Sequence, residues 1–329
     1  MNDELNVPRD LIRYVETGSK FIIAGHKEPD GDCIGSQLSL RSILLRMGKE
    51  VYVCSAGPFT RSELKGYTGF FKASLTEEEK SGARLIIVDC TDTERMGSLE
   101  KELKGLPFAI IDHHATGSYP PSCEQFPVYI DAQAPACTFL IYRLITALGM
   151  GINEEEATLL LFGLCTDTGF FHYLTEKDSS VLEAAAQMLK HGANLKRVYN
   201  LINGGKKLDS RILMGKILSR TESHYDGKLL TSYETLEEFQ TFGFEGRDSD
   251  NMYKLLQSVE NVQVIIIIRQ ESANNCTVSL RSVDKIDVAS VAKSLGGGGH
   301  KNAAGLTMKG DISNVRQILL KSFSNIFKK

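Results

Sequence analysis

Phe108-Ala109-Ile110-Ile111-Asp112-His113-His114 decides how this chain is read. Four apolar residues stop abruptly at one acid and two imidazoles. The pattern predicts a buried strand with metal-seeking side chains at its C-terminal end, the edge of an open α/β sheet where ligands bind. Adjacent histidines at the end of a buried strand are costly unless something binds them. Two more apolar runs end alike. Phe21-Ile22-Ile23-Ala24-Gly25 runs into His26, with Asp30 and Asp32 just beyond in a Pro-Asp-Gly-Asp turn. Leu85-Ile86-Ile87-Val88 runs into Asp89. Asp167, in Cys165-Thr166-Asp167-Thr168-Gly169, follows the apolar helix pattern of residues 157–164. Singly, each acid has an ordinary reading as a loop residue or a helix cap. Together they read as one converging site.

Strands are expected at 20–25, 51–55, 84–88, 107–112 and 128–131. Helices are expected at 8–18, from a cap at Asp32 or Ser36 to about Met47, at 135–149 and at 153–166. One or two short helices fall within 58–80, where Thr76-Glu77-Glu78-Glu79 is a good helix start. Strands alternating with helices imply an α/β fold with a mostly parallel sheet and helices on both faces. After Asp167 the character changes. Helices at 178–190 and 194–203 lead to a break at Asn203-Gly204-Gly205. The expected division is a first domain over 1–189, a linker within 190–210, and a smaller α+β domain over 211–329. In that second domain, 217–225 and 228–233 flank the hairpin signal Asp226-Gly227. Helices follow at 235–242 and 251–259, a strand pair at 262–269 and 276–281, a helix at 287–295, a strand at 304–308 and a helix at 313–327.

A chain of 329 residues has room for two domains, and 42% hydrophobic with 24% charged residues is ordinary for a globular protein. The first twenty residues lack an apolar core, and no window approaches about 18 consecutive apolar residues, so neither a signal peptide nor a membrane span is expected. Seven scattered cysteines without CxxC suggest reduced thiols and a cytoplasmic location. The net charge of −3 argues against a grip on long nucleic acid, which usually needs a basic surface. A phosphate ester bound here must find its positive charge in metals and a few local Lys or Arg.

The donor set is rich in oxygen, poor in imidazole and without thiolate, which favours Mn²⁺ or Mg²⁺ over structural Zn²⁺. Five carboxylates and two or three histidines exceed the needs of one ion. Two divalent ions about 3.5–4 Å apart, bridged by one Asp and a hydroxide, would use them in hydrolysing a phosphate ester. A second feature lies far along the chain, at Gly296-Gly297-Gly298-Gly299-His300. Its expected use is close backbone approach, with N–H groups free to face an anion and His300 beside them. Arg281 is a candidate phosphate clamp.

These motifs resemble a known family. His26-x3-Asp30-Gly31-Asp32, Asp89, Asp112-His113-His114 and Asp167 are similar to the successive motifs of the DHH phosphoesterase superfamily. The run from Gly296 to Gly305 resembles the signature of its DHHA1 companion domain. The two-domain order resembles the NrnA-type oligoribonucleases, also described as pAp phosphatases. The resemblance implies two metal ions, usually Mn²⁺. It implies one ion on His26, Asp30 and Asp89, and the other on Asp32, Asp89, His113 and Asp167, with Asp89 bridging. It implies that His114, beside Asp112, contacts the scissile phosphate or leaving oxygen. Arg281, Gly296 to Gly299 and His300 would hold the far end of a short nucleotide. Cys137, in Ala134-Pro135-Ala136-Cys137-Thr138, departs from the serine that relatives often carry. The implied activity is hydrolysis of short oligoribonucleotides to mononucleotides and of 3′-phosphoadenosine 5′-phosphate (pAp) to AMP. The alternatives are an exopolyphosphatase or pyrophosphatase, or a phosphodiesterase of linear or cyclic dinucleotides. The implied partners are short RNA and small phosphorylated nucleotides, with neither long nucleic acid nor a membrane; a homodimer is compatible with them.

Overall fold

A computed structural model of the protein describes residues 6–114, 126–283 and 285–327. The chain forms two compact units, residues 1–205 and 206–329.

The first unit holds a five-stranded parallel sheet: β1 (Lys20–Ala24), β2 (Glu50–Cys54), β3 (Arg84–Val88), β4 (Phe108–Asp112) and β5 (Val128–Ile130), in the order β2-β1-β3-β4-β5. Its inner strands are apolar without alternation because both faces are covered. Phe21, Ile23, Ile86, Val88, Ala109 and Ile111 face the helices Gly31–Arg46, Cys137–Ala147 and Glu154–Asp167. Ile22, Ala24, Leu85, Ile87 and Ile110 face the smaller layer of Met96, Leu99 and Leu103. The order 2-1-3 means that the chain leaves β1 to one side and returns on the other. The crevice at such a reversal lies at the C-terminal ends of β1 and β3.

The helix Gly31–Arg46 is capped by Asp30, whose carboxylate accepts from the amides of Asp32 and Cys33. The expected caps, Asp32 and Ser36, lie inside the helix instead. An Asp one residue before Gly31 reaches the free N–H groups of the first turn, and Asp32 is thereby released for other contacts. The start at Thr76 carries a full capping box with Glu79.

The second unit holds a six-stranded mixed sheet: β6 (Glu222–His224), β7 (Leu229–Glu234), β8 (Val264–Ser272), β9 (Asn275–Ser282), β10 (Gly298–His300) and β11 (Ala303–Lys309), in the order β10-β11-β9-β8-β7-β6. Only β7 and β8 run parallel. Val264, Ile266 and Ile268 pack towards the helices Val288–Ser294 and Ile312–Phe327. Ile265 and Ile267 pack towards Leu208–Ser219 and Ser249–Gln257. Two expectations differ here. The strand foreseen at 217–225 is mostly the end of the helix Leu208–Ser219, followed by the short β6. Leu213 and Ile217, one turn apart, are buried against β7 and β8, and this tertiary packing overrides the strand-like local sequence. The glycine run, expected to serve close backbone approach to an anion, supplies β10, paired with β11 through Gly298↔Gly305, Gly299↔Ala304 and His300↔Ala303.

Candidate active site

His26 follows β1 and Asp89 follows β3, so they stand on the two sides of the crevice. The Nε2 atom of His26 lies 3.3 Å from Oδ2 of Asp89. His113 follows β4, and its Nε2 lies 3.4 Å from the other oxygen of Asp89, Oδ1. One carboxylate thus turns one oxygen to each imidazole. Asp89 reaches this pose with φ of +57°, a left-handed conformation that Asp tolerates better than most residues. Its amide is tied to the carbonyl of Ile111 at 3.0 Å.

The other acids arrive on helices. Asp30 lies 3.9 Å from His26 Nε2. Asp32 is fully buried, and its carboxylate accepts from Thr138 Oγ1 at 2.6 Å, Thr138 N at 2.9 Å and Cys137 N at 2.5 Å. It therefore caps the helix Cys137–Ala147, whose own N-cap residue, Ala136, has no side chain for that task. Asp167 ends the helix Glu154–Asp167, and its Oδ2 lies 3.3 Å from His113 Nε2. Close helix packing brings it there. A Cβ on Gly163 would sit 2.4 Å from Thr138 Cγ2 and 2.9 Å from Asp32 Oδ1, so only glycine fits between the two acid-bearing helices.

The ring orientations match those of metal-ligating imidazoles. His26 Nδ1 lies 2.8 Å from the carbonyl of Lys27, and His113 Nδ1 lies 3.3 Å from that of Ala134. A carbonyl only accepts, which assigns the proton to Nδ1 in both rings and leaves Nε2 facing the carboxylates. Asp89 Oδ1, Asp112 Oδ2 and His113 Nε2 are buried without hydrogen-bond geometry to any described residue. Orphans of this kind are expensive unless a cation satisfies them. Donor atoms of Asp32, His113 and Asp167 lie within 4.8 Å of one another, as do those of His26, Cys33 and Asp89. The donor chemistry fits divalent metal.

Charge perturbation is concentrated here. Burial opposes a charge on His26, yet Asp30 and Asp89 overcome it and raise its pKa to about 10. Burial likewise opposes a charge on His113, and Asp167 with Asp89 raises it to about 11. Burial pushes Asp32 well above the usual carboxylate range, reinforced by the charges of Asp167 and Asp89. Asp167 moves up for the same leading reason. Burial also pushes the thiol of Cys33 well up, so this neighbour of His26 and Asp89 is a neutral SH.

His114 is held differently. Its Nδ1 lies 2.7 Å from Asp112 Oδ1, and the same oxygen accepts from the amides of His113 and His114. Burial works against the Asp112 carboxylate, but the His114 contact and those amides hold its pKa below the usual range. His114 is thus oriented by an anion rather than by a carbonyl.

In the second unit, register links Arg281 and His300. Arg281 of β9 pairs with Ala303 of β11, which pairs with His300 of β10. Directly opposed residues share a face, so Arg281 and His300 flank the small Ala303 about 10 Å apart, two strand spacings. The neighbouring row on that face is Ser279, Gly305 and Gly298. The result is a flat shelf of small side chains with the Arg281 guanidinium on one side and the His300 imidazole on the other. The glycines serve it in an unexpected way. The amides of Gly296 and Gly297 bond back to Lys293 and Ala292, closing the preceding helix, rather than standing free for an anion. A Cβ on Gly297 would meet the carbonyl of Gly305 at 2.4 Å and one on Gly299 the carbonyl of Ala303 at 2.5 Å, so these two positions are glycine because the run hugs β11.

Three participants were not foreseen as such. Thr138 and the Cys137 amide hold Asp32, and Tyr253 lies under Arg281. The available signal for the first two was a helix start, Ala136-Cys137-Thr138, lacking a capping side chain of its own. Six cysteines are free and buried; Cys123 lies outside the described residues. No helix among the described residues is long and apolar enough to cross a membrane.

Both units have counterparts among known proteins. The profile described as "DHH family, N-terminal domain" matches residues 20–164, and that of the DHHA1 domain matches residues 226–329. The chain is 32% identical over 317 residues to the bifunctional oligoribonuclease and PAP phosphatase NrnA of Thermus thermophilus, covering 94% of this chain and 89% of that protein. It is 26% identical to the cyclic-di-AMP phosphodiesterase GdpP of Bacillus subtilis, covering 91% of this chain but 46% of that one. Among solved structures, an exopolyphosphatase-related protein from Bacteroides fragilis superposes with a TM-score of 0.79 at 24% identity, covering 98% of this chain and 99% of the other. Exonuclease RecJ bound to manganese superposes with a TM-score of 0.50 at 15% identity, covering 98% of this chain and 94% of that one. At those identities the two structures speak for the fold alone.

Proposed function

This chain belongs to the DHH family of metal-dependent phosphoesterases, and from that premise we propose that it hydrolyses short oligoribonucleotides to mononucleotides and pAp to AMP, using two Mn²⁺ ions. The observation that carries the reading is Asp89, with one oxygen 3.3 Å from His26 and the other 3.4 Å from His113. His26, Asp30 and Asp89 would hold one ion; Asp32, Asp89, His113 and Asp167 would hold the other. Divalent ions held by these residues would supply activation of a bound water and neutralise charge on the phosphoryl group. Lys27 and Ala134 keep the ligand imidazoles in the tautomer that leaves Nε2 free. Asp112 holds the Nδ1 proton of His114, so that Nε2 can serve the scissile phosphate or the leaving oxygen.

Residues 1–189 carry the chemistry in this reading and residues 211–329 the grip, joined through 190–210. The Arg281–Ala303–His300 row and the glycine run behind it receive a phosphate or base remote from the scissile bond. The acidic balance of the chain favours short substrates, and its reduced thiols fit the cytoplasm. The test is turnover of 5′-labelled short RNAs, pAp, pGpG and pyrophosphate side by side, with Mn²⁺ and after chelation. Preferred cleavage of RNA and pAp, abolished by chelation, is expected. Faster turnover of pGpG or pyrophosphate would replace this reading.

A further inference from the structure

We infer that Tyr253 is a positioning residue, whose buried ring fixes the direction in which Arg281 presents its guanidinium on the open shelf of β9, β11 and β10. The inference rests on the proposed role of Arg281 as a grip on substrate, and it names what makes that grip selective.

An arginine on an open sheet face has four side-chain torsions to sample, and a clamp needs few of the resulting poses. Arg281 is half-buried and restrained at two points. Its Nη1 donates to the carbonyl of Leu280 at 3.1 Å, and its Cζ stands 4.7 Å from the centre of the Tyr253 ring, within cation–π range. The ring itself has no freedom to follow. Tyr253 is 4% exposed and sits in the helix Ser249–Gln257, packed with Met252, Leu256, Leu213 and Ile265. Ile265 is also the β8 partner of Arg281 in the sheet register. The aromatic face therefore stands on the same core row from which Arg281 rises. Across Ala303 lies His300, whose place on β10 is set by the backbone pairing. With Tyr253 in place, the spacing between the Arg281 guanidinium and His300 becomes a fixed property of the shelf.

The hydroxyl of Tyr253 finds no hydrogen-bond partner among the described residues. Tyr253→Phe therefore keeps the ring and removes only an unused oxygen, which makes it the rescue variant. Tyr253→Leu removes the aromatic face while keeping an apolar core residue.

The test uses the full chain loaded with Mn²⁺ and compares pAp with bis-p-nitrophenyl phosphate, which carries neither a second phosphate nor a base for the shelf to hold. Circular dichroism and melting temperature accompany each variant, and Tyr253→Met is the second ring-less variant if leucine compromises folding. Tyr253→Leu should raise KM for pAp about tenfold, the value of one well-made side-chain contact, with kcat within twofold. Activity on the small diester should not change, and Tyr253→Phe should behave as the parent. Because Tyr253 acts through Arg281, Tyr253→Leu combined with Arg281→Ala should be no worse than Arg281→Ala alone. Losses that multiply in the double variant, or a fall in kcat on both substrates, would overturn the inference. Two further outcomes separate it from its premise. If Arg281→Ala weakens pAp binding and neither ring-less variant does, the Tyr253 inference alone fails. If Arg281→Ala itself leaves pAp kinetics unchanged, the grip assigned to the shelf is wrong and the inference falls with it.

Discussion

Nδ1 of His114 lies 2.7 Å from Oδ1 of Asp112, and this is the one imidazole of the centre oriented by a carboxylate. His26 and His113 lean on carbonyls instead. In the proposed reading, the difference separates a proton-handling histidine from ligand histidines. Asp112→Asn should let the His114 ring adopt the wrong tautomer. We expect kcat to fall by about 10²-fold or more, the scale of general acid–base assistance, with metal content unchanged. Steady-state kinetics with metal analysis by mass spectrometry checks this; loss of metal would instead make Asp112 a ligand.

Asp89 is best replaced by asparagine. Its φ of +57° is tolerated by Asn, whereas alanine would add backbone strain to the chemical loss. Asp89→Asn should keep the fold, lower bound metal, and cut turnover by at least about 10²–10³-fold, as when a preorganised electrostatic contact is removed. Full metal content with normal activity would sink the role proposed for Asp89.

Removing the metal should make stability depend on alkaline pH. With pKa values of about 10 for His26 and about 11 for His113, both imidazoles stabilise the metal-free fold fully below their ordinary 6.5. That contribution fades as pH rises from about 6.5 through those values. Asp32 and Asp167, raised by burial, act in the same direction, since each loses in the fold a proton that the fold prefers to keep. Chelated protein should therefore melt at steadily lower temperature from about pH 6.5 to 8.5. Added Mn²⁺ should recover more at the higher pH, because neutral imidazole is the binding form. Thermal unfolding at three pH values, with and without metal, decides it. A melting temperature of chelated protein that climbs over this range contradicts the assignment.

His300→Ala should weaken pAp and oligonucleotide binding by about 1–3 kcal/mol, the worth of a charge-assisted hydrogen bond. Metal content and hydrolysis of bis-p-nitrophenyl phosphate should stay as they are. Equal loss on both substrate types would place His300 in the catalytic centre.

Much of this was legible in the sequence because parallel strands announce themselves. The runs ending at His26, Asp89 and Asp112 are apolar throughout, and the acids and imidazoles mark where burial stops. What stayed hidden depends on tertiary context. The helix Leu208–Ser219 has a glycine at its centre and strand-like neighbours, so only packing of Leu213 and Ile217 reveals it. β10 is invisible to propensity because glycine has none for strands; its pairing with β11 comes from close backbone contact. Thr138 and Tyr253 are ordinary core residues in sequence, and their roles come from what stands opposite: Asp32, 106 positions away, and Arg281.

The Asp32–Thr138 contact has a consequence for the order of assembly. The acid emerges early, in the first βα unit, while the amides it caps belong to a helix more than a hundred residues later. Contacts of such sequence separation form late, because the intervening chain must first be closed into a loop. During synthesis, the nascent chain exposes Asp30, Asp32 and Asp89 well before Asp167 leaves the ribosome. Until that helix docks, these acids lack the frame that spaces them. With the proposed ligand set, metal uptake is expected to coincide with completion of the first unit, and a loaded centre would serve as a record that the whole unit has closed.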